Sequence, residues 1–345
     1  MHGVPSAAAL VSGHRTVVAG PVADSAPALE SAIAADDYVP YGTFYFESPQ
    51  PLPPAYAPGS HDSFAEALCT AVLASGLRTA TIGVDEAALN PSTLAKLSLA
   101  LPDATFVNAS AWSVQVRSRK LPAECALLEQ AARLAESGVA AAVEAATVGT
   151  TEREMAATVS SIMSGGGGEP KFVSVTSGPR SAFADAFPTD RRLQPGDLVR
   201  FDIGCLVDGY WSDIGRTAVV GEPDALQAAR YEAIFQGEEE QLARIRPGMA
   251  AAEVFALAVE VVERHGVSPY RRQHCGHGIG LDVYEPPIIN GSTETPLEEG
   301  MTFCLETPYY VLGWGGMMVE DTIVLTSDGH TRFTVTDRRL RVIPA

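Results

Sequence analysis

The sequence predicts an α+β protein in two domains, a small α/β domain over residues 1–119 and a larger one over residues 120–345. Three observations predict it: a change of texture near residue 120, a carboxylate-bearing β-hairpin over residues 200–217, and a short motif that recurs inside the second domain.

At 345 residues the chain exceeds the roughly 250–300 residues at which a single core stops growing, so about two domains are expected. Up to Arg119, short apolar runs alternate with loops. Arg15–Ala19, Thr81–Val84 and Thr105–Asn108 read as short strands, and Pro49–Pro58 is rich in proline. From Pro122, the apolar residues Leu127, Leu128, Ala131, Leu134, Ala135 and Val139 recur at helical spacing as far as about Ala146. That helix opens the second domain. Farther on, Gly149-Thr-Thr-Glu-Arg-Glu154-Met-Ala-Ala157 and Gly248-Met-Ala-Ala-Ala-Glu253-Val-Phe-Ala256 share the spacing G-x4-E-x-x-A. Each follows a helical stretch and opens another helix, which predicts two similar halves around a central site. The Gly165–Gly168 run is a flexible loop rather than a phosphate-binding one, because no G-x4-G-K-[ST] follows.

The composition is that of a globular protein, with 46% hydrophobic and 19% charged residues. Lys and Arg number 24 against 42 Asp and Glu, a formal net charge of −18 that repels phosphate backbones and anionic membranes. No nucleic-acid or membrane partner is expected. Cys69, Cys125, Cys205, Cys275 and Cys304 are scattered and lack C-x-x-C spacing, which fits a reducing cytoplasm rather than a disulfide framework. The apolar patch Ala7–Val11 has no preceding Lys or Arg, so it does not read as a signal peptide. No run approaches the ~18 apolar residues that a bilayer span requires.

The segment from Arg200 to Thr217 is the most informative. Asp208-Gly209 between two β-prone stretches signals a two-residue type I′ turn. Val207 then pairs with Tyr210, Gly204 faces Asp213, and Asp202 faces Gly215. Asp202 and Asp213 therefore share a face as diagonal neighbours, with β-carbons ~7–8 Å apart or a little less. Flanking Phe201, Ile203, Trp211 and Ile214 bury that sheet. Two carboxylates so close repel unless a proton or a cation neutralises them.

Three further stretches carry candidate ligands. His277 lies among glycines in Gly276-His277-Gly278-Ile279-Gly280, where the backbone can approach closely, although taken alone this motif fits a structural histidine better than a ligand. Glu306 in Phe303-Cys304-Leu305-Glu306 and Glu320 in Met318-Val319-Glu320-Asp321 are acids inside apolar runs with few Lys or Arg nearby, so a metal is the expected partner. Four carboxylates and one imidazole suit Mn, Fe, Co or Zn, and five ligands suit two ions. Two such metals can generate a hydroxide and stabilise the oxyanion formed on attack. No G-x-S-x-G elbow is present and no cysteine has an evident base partner, so covalent catalysis is disfavoured.

At these residues the sequence resembles the superfamily of methionine aminopeptidases, Xaa-Pro peptidases and creatinases, whose catalytic half is the pita-bread fold. Asp202 in F-D-I-G, Asp213 in S-D-I-G-R-T, His277 in G-H-G-I-G-L, Glu306 in L-E-T-P and Glu320 in V-E-D-T occur in the family order, over roughly residues 105–335. The resemblance implies a pseudo-two-fold, curved antiparallel sheet with flanking helices over residues 120–345, preceded by a shortened creatinase-type N-terminal domain. It implies that all five residues are ligands of two divalent ions, Mn favoured, and that Glu306 is also the general base. A homodimer is expected by the same analogy.

The residues that would face the substrate depart from the Xaa-Pro pattern. Asp185 stands where a loop histidine is usual, and Gln273 where a histidine precedes the metal histidine by four, with His274 one residue away. Tyr284 replaces a histidine before Glu285, and Met318 replaces an arginine two before the last glutamate. Tyr284 keeps a hydrogen-bond donor of similar reach. The expected enzyme is thus a dinuclear metallohydrolase of the Xaa-Pro peptidase type, acting on a small peptide. In it a metal-bridging hydroxide attacks, Glu306 moves the proton, and His274 or Tyr284 steadies the oxyanion or leaving group. The alternative is C–N hydrolysis or lyase chemistry on a small metabolite, as in creatinase or ectoine hydrolase, and a third reading is an inactive binding protein.

Overall fold

The computed structural model describes residues 7–13, 15–30, 37–51 and 61–345, so most of the proline-rich stretch Pro49–Pro58 lies outside the described residues. The chain divides into two compact units, one up to Ser113 and one from Val114 to Ala345.

In the first unit, β1 (Ala8–Ser12) runs antiparallel to β2 (Arg15–Pro21), and β3 (Tyr38–Tyr41) adds in parallel. The short helix α1 (Ser25–Glu30) lies between β2 and β3 in the chain. Helix α2 (Phe64–Ala74) starts at Ser63, whose side chain accepts from the Glu66 backbone N–H at 3.4 Å. Helix α3 (Pro91–Ala100) starts where Pro91 follows the cap Asn90. Strands β4 (Thr81–Val84) and β5 (Thr105–Asn108) pair in parallel, and α4 (Ser110–Ser118), within which the boundary between the two units falls, follows. Val17, Ala19, Val39, Ala67, Leu68, Ala71 and Leu97 form the core of this unit. The three strands read from the sequence correspond to β2, β4 and β5.

The first helix wholly within the second unit is α5 (Pro122–Ala145), the helix read from its apolar spacing. Then come α6 (Glu152–Gly165), β6 (Glu169–Ser177), β7 (Leu198–Val207), β8 (Tyr210–Trp211) and β9 (Ile214–Val220). The second half repeats the order with α7 (Ala225–Arg244), α8 (Ala251–Arg264), β10 (Gly276–Gly278), β11 (Glu285–Ile288), β12 (Thr302–Glu306), β13 (Tyr309–Val311), β14 (Gly315–Met317) and β15 (Glu320–Leu325). Strands β16 (His330–Arg332) and β17 (Arg341–Ile343) close the chain. The ten-stranded sheet is ordered β11-β10-β12-β15-β9-β7-β6. Read from its centre outward, β9-β7-β6 mirrors β15-β12-β10.

The repeated G-x4-E motif has a structural cause. Gly149 (φ 90°) and Gly248 (φ 93°) each take a left-handed turn that an L side chain resists. Their N–H groups donate to Leu193 O at 2.9 Å and Leu297 O at 2.8 Å. Glu154 then accepts from Thr151 N–H at 2.7 Å, and Glu253 from Ala250 N–H at 2.7 Å, so each repeated glutamate caps the start of its helix. The duplication is one of geometry as well as letters, and the halves are related by a pseudo-two-fold.

Alternation along the strands separates greasy and acidic faces. Phe201 and Ile203 point from β7 to Ala131, Ala135, Val139, Met155 and Val159 of α5 and α6. Phe303 and Leu305 of β12 pack with Leu242, Val254 and Ile323. Asp202 and Glu306, which alternate with these residues, occupy the opposite face. Behind the central strands lies an ionic brace: fully buried Arg216 reaches Asp321 at 2.7 Å and Glu320 O at 2.6 Å, while Arg338 reaches Glu238 at 2.7 Å and Asp321 at 3.2 Å. Among the described residues, no helix is long and apolar enough to cross a membrane.

Candidate metal centre

The hairpin takes the expected register. Val207 pairs with Tyr210, Ile203 with Ile214 and Asp202 with Gly215. Asp208 (φ 46°) and Gly209 (φ 87°) are both left-handed, as a type I′ turn demands. Asp202 and Asp213 line one cavity of about 820 Å3. In the other half, Glu306 pairs directly with Glu320, which puts both carboxylates on one face. The halves meet where Glu320 pairs with Gly215.

His277 enters from β10, between β11 and β12. That strand is squeezed: a β-carbon at Gly278 would lie 2.6 Å from Glu285 O, so only glycine fits. His277 Nδ1 lies 2.9 Å from Gly278 O, which turns Nε2 toward Asp213 Oδ2 at 3.6 Å. Donor atoms of Asp213, His277, Glu320 and also Cys304 all lie within 4.8 Å of one another. Asp213 Oδ1 and His277 Nε2 are buried yet have no hydrogen-bond partner.

The electrostatics follow from this crowding. Removal from water, and then the Asp213 charge, push Asp202 up to about 7, against the pull of Arg200 at 2.8 Å. Burial and the neighbouring acids Asp213, Glu306 and Asp202 drive Glu320 well above the usual carboxylate range. Burial also raises Asp213, although His277 opposes the shift. Burial alone would raise Glu306 too, but the His274 and His277 rings and Arg272 hold it below its ordinary value. His274 Nδ1 is 2.9 Å from Glu306 Oε1, and Arg272 is 3.9 Å away. Acids that raise one another, beside an unpartnered imidazole nitrogen and an unpartnered carboxylate oxygen, make a donor set that fits divalent cations.

The residues named from departures in the pattern are not all in one place. Tyr284, 51% exposed, stacks on His277 with ring centroids 3.7 Å apart and stands edge-on to His274 at 5.7 Å. Tyr284 and exposed Asp185 line the same cavity as Asp202 and Asp213. Gln273 is exposed in a separate hollow with Arg272, Tyr309 and Tyr310. Met318 is buried, its sulfur 3.5 Å from Arg200 Nη1.

Sequence reasoning missed Arg200, Arg272 and Cys304. Arg200 and Cys304 each stand two residues before a carboxylate on the same strand, so the two-residue period could have placed them on the acidic face. Arg200 is fully buried and also donates to Ser181 O at 3.1 Å and Phe183 O at 3.0 Å, tying the loop after β6 to the strand of Asp202. Arg272 comes from a loop, and no periodicity marks it.

A sheet that mirrors itself about its centre, with acids and one histidine on its concave seam, defines a pita-bread metalloprotein. Residues 126–327 match the metallopeptidase family M24, and the chain belongs to that family. It is 38% identical over 227 residues to an Xaa-Pro dipeptidase of Pyrococcus furiosus, covering 65% of each chain, so it spans just under two thirds of that relative. It is 34% identical over 247 residues to an Xaa-Pro dipeptidase of Lactobacillus helveticus, covering 70% of this chain and 67% of that one. Among solved structures, the prolidase from Pyrococcus furiosus superposes with a TM-score of 0.75 at 30% identity, over 96% of this chain and 90% of the other. An Xaa-Pro dipeptidase from Bacillus anthracis superposes with a TM-score of 0.80 at 25% identity, over 99% and 90%.

Proposed function

We propose that the chain is a metal-dependent dipeptidase that cleaves the peptide bond before proline in Xaa-Pro substrates. The observation that carries this reading is the unpartnered, buried pair of Asp213 Oδ1 and His277 Nε2 within a crowd of mutually repelling acids. Membership of a metallopeptidase family and likeness to proteins named Xaa-Pro dipeptidase support it.

Asp202, Asp213, His277, Glu306 and Glu320 would hold two divalent cations, with manganese favoured by the oxygen-rich set. Such a pair supplies an activated water and polarises the scissile carbonyl. Glu306 is the general base: its carboxyl, held ionised below its ordinary pKa, takes the proton of the attacking water and returns it to the departing imino nitrogen. His274, 2.9 Å from Glu306, and Tyr284, over the face of His277, would donate to the developing oxyanion or the leaving group. Asp185 on the cavity wall offers a carboxylate to a substrate ammonium. Gln273 and Met318 act at the margin, Gln273 from the neighbouring hollow and Met318 through Arg200. A homodimer and a cytoplasmic location complete the proposal; five free cysteines are compatible with the latter.

Purified, manganese-loaded protein is expected to release free proline from a panel of Xaa-Pro dipeptides. No release from any of them by protein shown to hold metal would sink the dipeptidase reading. Turnover of a small C–N metabolite instead would support the alternative suggested by Asp185 and Tyr284 standing in place of histidines.

Tyr284→Phe removes only the hydroxyl. It is expected to leave metal content unchanged and to lower kcat by about 10- to 100-fold, less than the loss of a principal oxyanion donor. Steady-state kinetics beside metal analysis checks it, and unaltered kcat would remove the tyrosine from the chemistry.

A further inference from the structure

We propose that the ion held by Asp213, His277 and Glu320 also takes the Cys304 sulfur as a ligand, so that one half of the centre is a mixed nitrogen, oxygen and sulfur site. The inference rests on the metal-centre reading above and goes beyond it. Cys304 sits in β12 two residues before Glu306, on the same face, and pairs directly with His277 on one side and Thr322 on the other. Its sulfur belongs to the set of donor atoms that lie within 4.8 Å of one another. Ligands of a tetrahedral ion at the roughly 2.0–2.3 Å expected for nitrogen, oxygen and sulfur donors stand less than that far apart, so small side-chain movements close the site.

What the sulfur otherwise touches is weak. It lies 3.5 Å from Asp213 O and 3.5 Å from Thr322 Oγ1, while the buried Asp213 Oδ1 and His277 Nε2 beside it have no hydrogen-bond partner. The pseudo-two-fold sharpens the point. The counterpart of Cys304 in the first half is Arg200, also two residues before a carboxylate, and its guanidinium is committed to Asp202 at 2.8 Å. The centre is therefore lopsided, with a cation against one acid in one half and a soft donor among the ligands in the other. A thiolate draws zinc, cobalt and cadmium, whereas manganese prefers an all-oxygen shell. The bland alternative is a thiol that only packs against Leu128, Ala132, Ile279 and Phe333.

Cobalt(II) separates the two. The full chain, stripped by chelation and reloaded under reducing, oxygen-free conditions, is expected to show a near-ultraviolet sulfur-to-cobalt charge-transfer band. That band should vanish in Cys304→Ser while the visible bands of bound cobalt persist. In chelator competition the variant should lose at least about tenfold of its preference for zinc over manganese, since a direct ligand matters no less than the outer partners worth 10–100-fold. Bound cobalt without the charge-transfer band in the unaltered protein, or a band that survives in Cys304→Ser, overturns the inference and leaves the metal centre standing. A chain that takes up no cobalt overturns both. Should Cys304→Ser fail to fold, Cys304→Ala and the spectrum of the unaltered chain decide alone.

Discussion

Asp213→Ala is expected to strip the centre of its cation and to lower kcat/KM by about 10⁴-fold or more, the scale on which loss of a principal catalytic group leaves only substrate positioning. Asp213 reaches across both halves: it lies 3.6 Å from His277, its charge raises Asp202, and it crowds Glu320. Without cations the same substitution has the opposite sign for stability. It removes one of the buried charges that repel each other, so the metal-free variant should melt no lower than the metal-free parent. The parent should rise by several degrees on loading, since a ligand at 100 times its Kd contributes about 2.7 kcal/mol, and the variant should not. Elemental analysis, kinetics and thermal melts with and without chelator read all three. A variant that keeps its activity would show the site to be misassigned.

Arg216→Met is expected to be the most damaging single change to the fold. The guanidinium is 2% exposed and is bonded to Asp321 at 2.7 Å, Glu320 O at 2.6 Å and Gly215 O at 2.8 Å. Methionine fills much of the volume but leaves Asp321 and Glu238 facing each other with Arg338 and the more distant Arg332 for compensation. Removing one partner of a buried ion pair costs about 3–5 kcal/mol, which for a unit of this size lowers Tm by roughly 6–20 °C. Because Arg216 also holds the carbonyl of Glu320, metal affinity should fall with stability. An unchanged melting curve would mean that the brace carries no weight.

How much of this was legible beforehand depends on range. The hairpin was readable in full, because a D-G turn and a two-residue period fix which residues oppose one another across the few positions between Asp202 and Gly215. The repeated glutamates were readable as marks of duplication, and their capping of α6 and α8 explains why the letters recur. The pairing of β9 with β15 and of β10 with β12 was legible only by resemblance to a family, since no local rule joins residues a hundred positions apart. The expectation that few cations lie near the acids of β12 and β15 held for adjacent sequence and failed in space. Arg272 approaches Glu306, and Asp321 gathers Arg216, Arg332 and Arg338 from distant segments. Gln273 looked equivalent to a site residue by counting along the chain. In the structure Gln273 lines the neighbouring hollow, and His274, the next residue, lies 2.9 Å from Glu306.

The mirror order of the sheet also bears on how the chain is made. Strand β9, every residue of which is buried in the finished protein, takes its neighbours from β7 on one side and from β15 and β17 on the other. Emerging from the ribosome, Ile214–Val220 must wait for roughly a hundred further residues before β15 exists, about 5–20 s at ordinary synthesis rates. For that interval the half-finished product presents a bare, oily β-edge, the kind of template on which nascent chains stick to one another. Yield in the cell should therefore depend on holding chaperones and growth temperature well before it depends on the melting point of the mature enzyme.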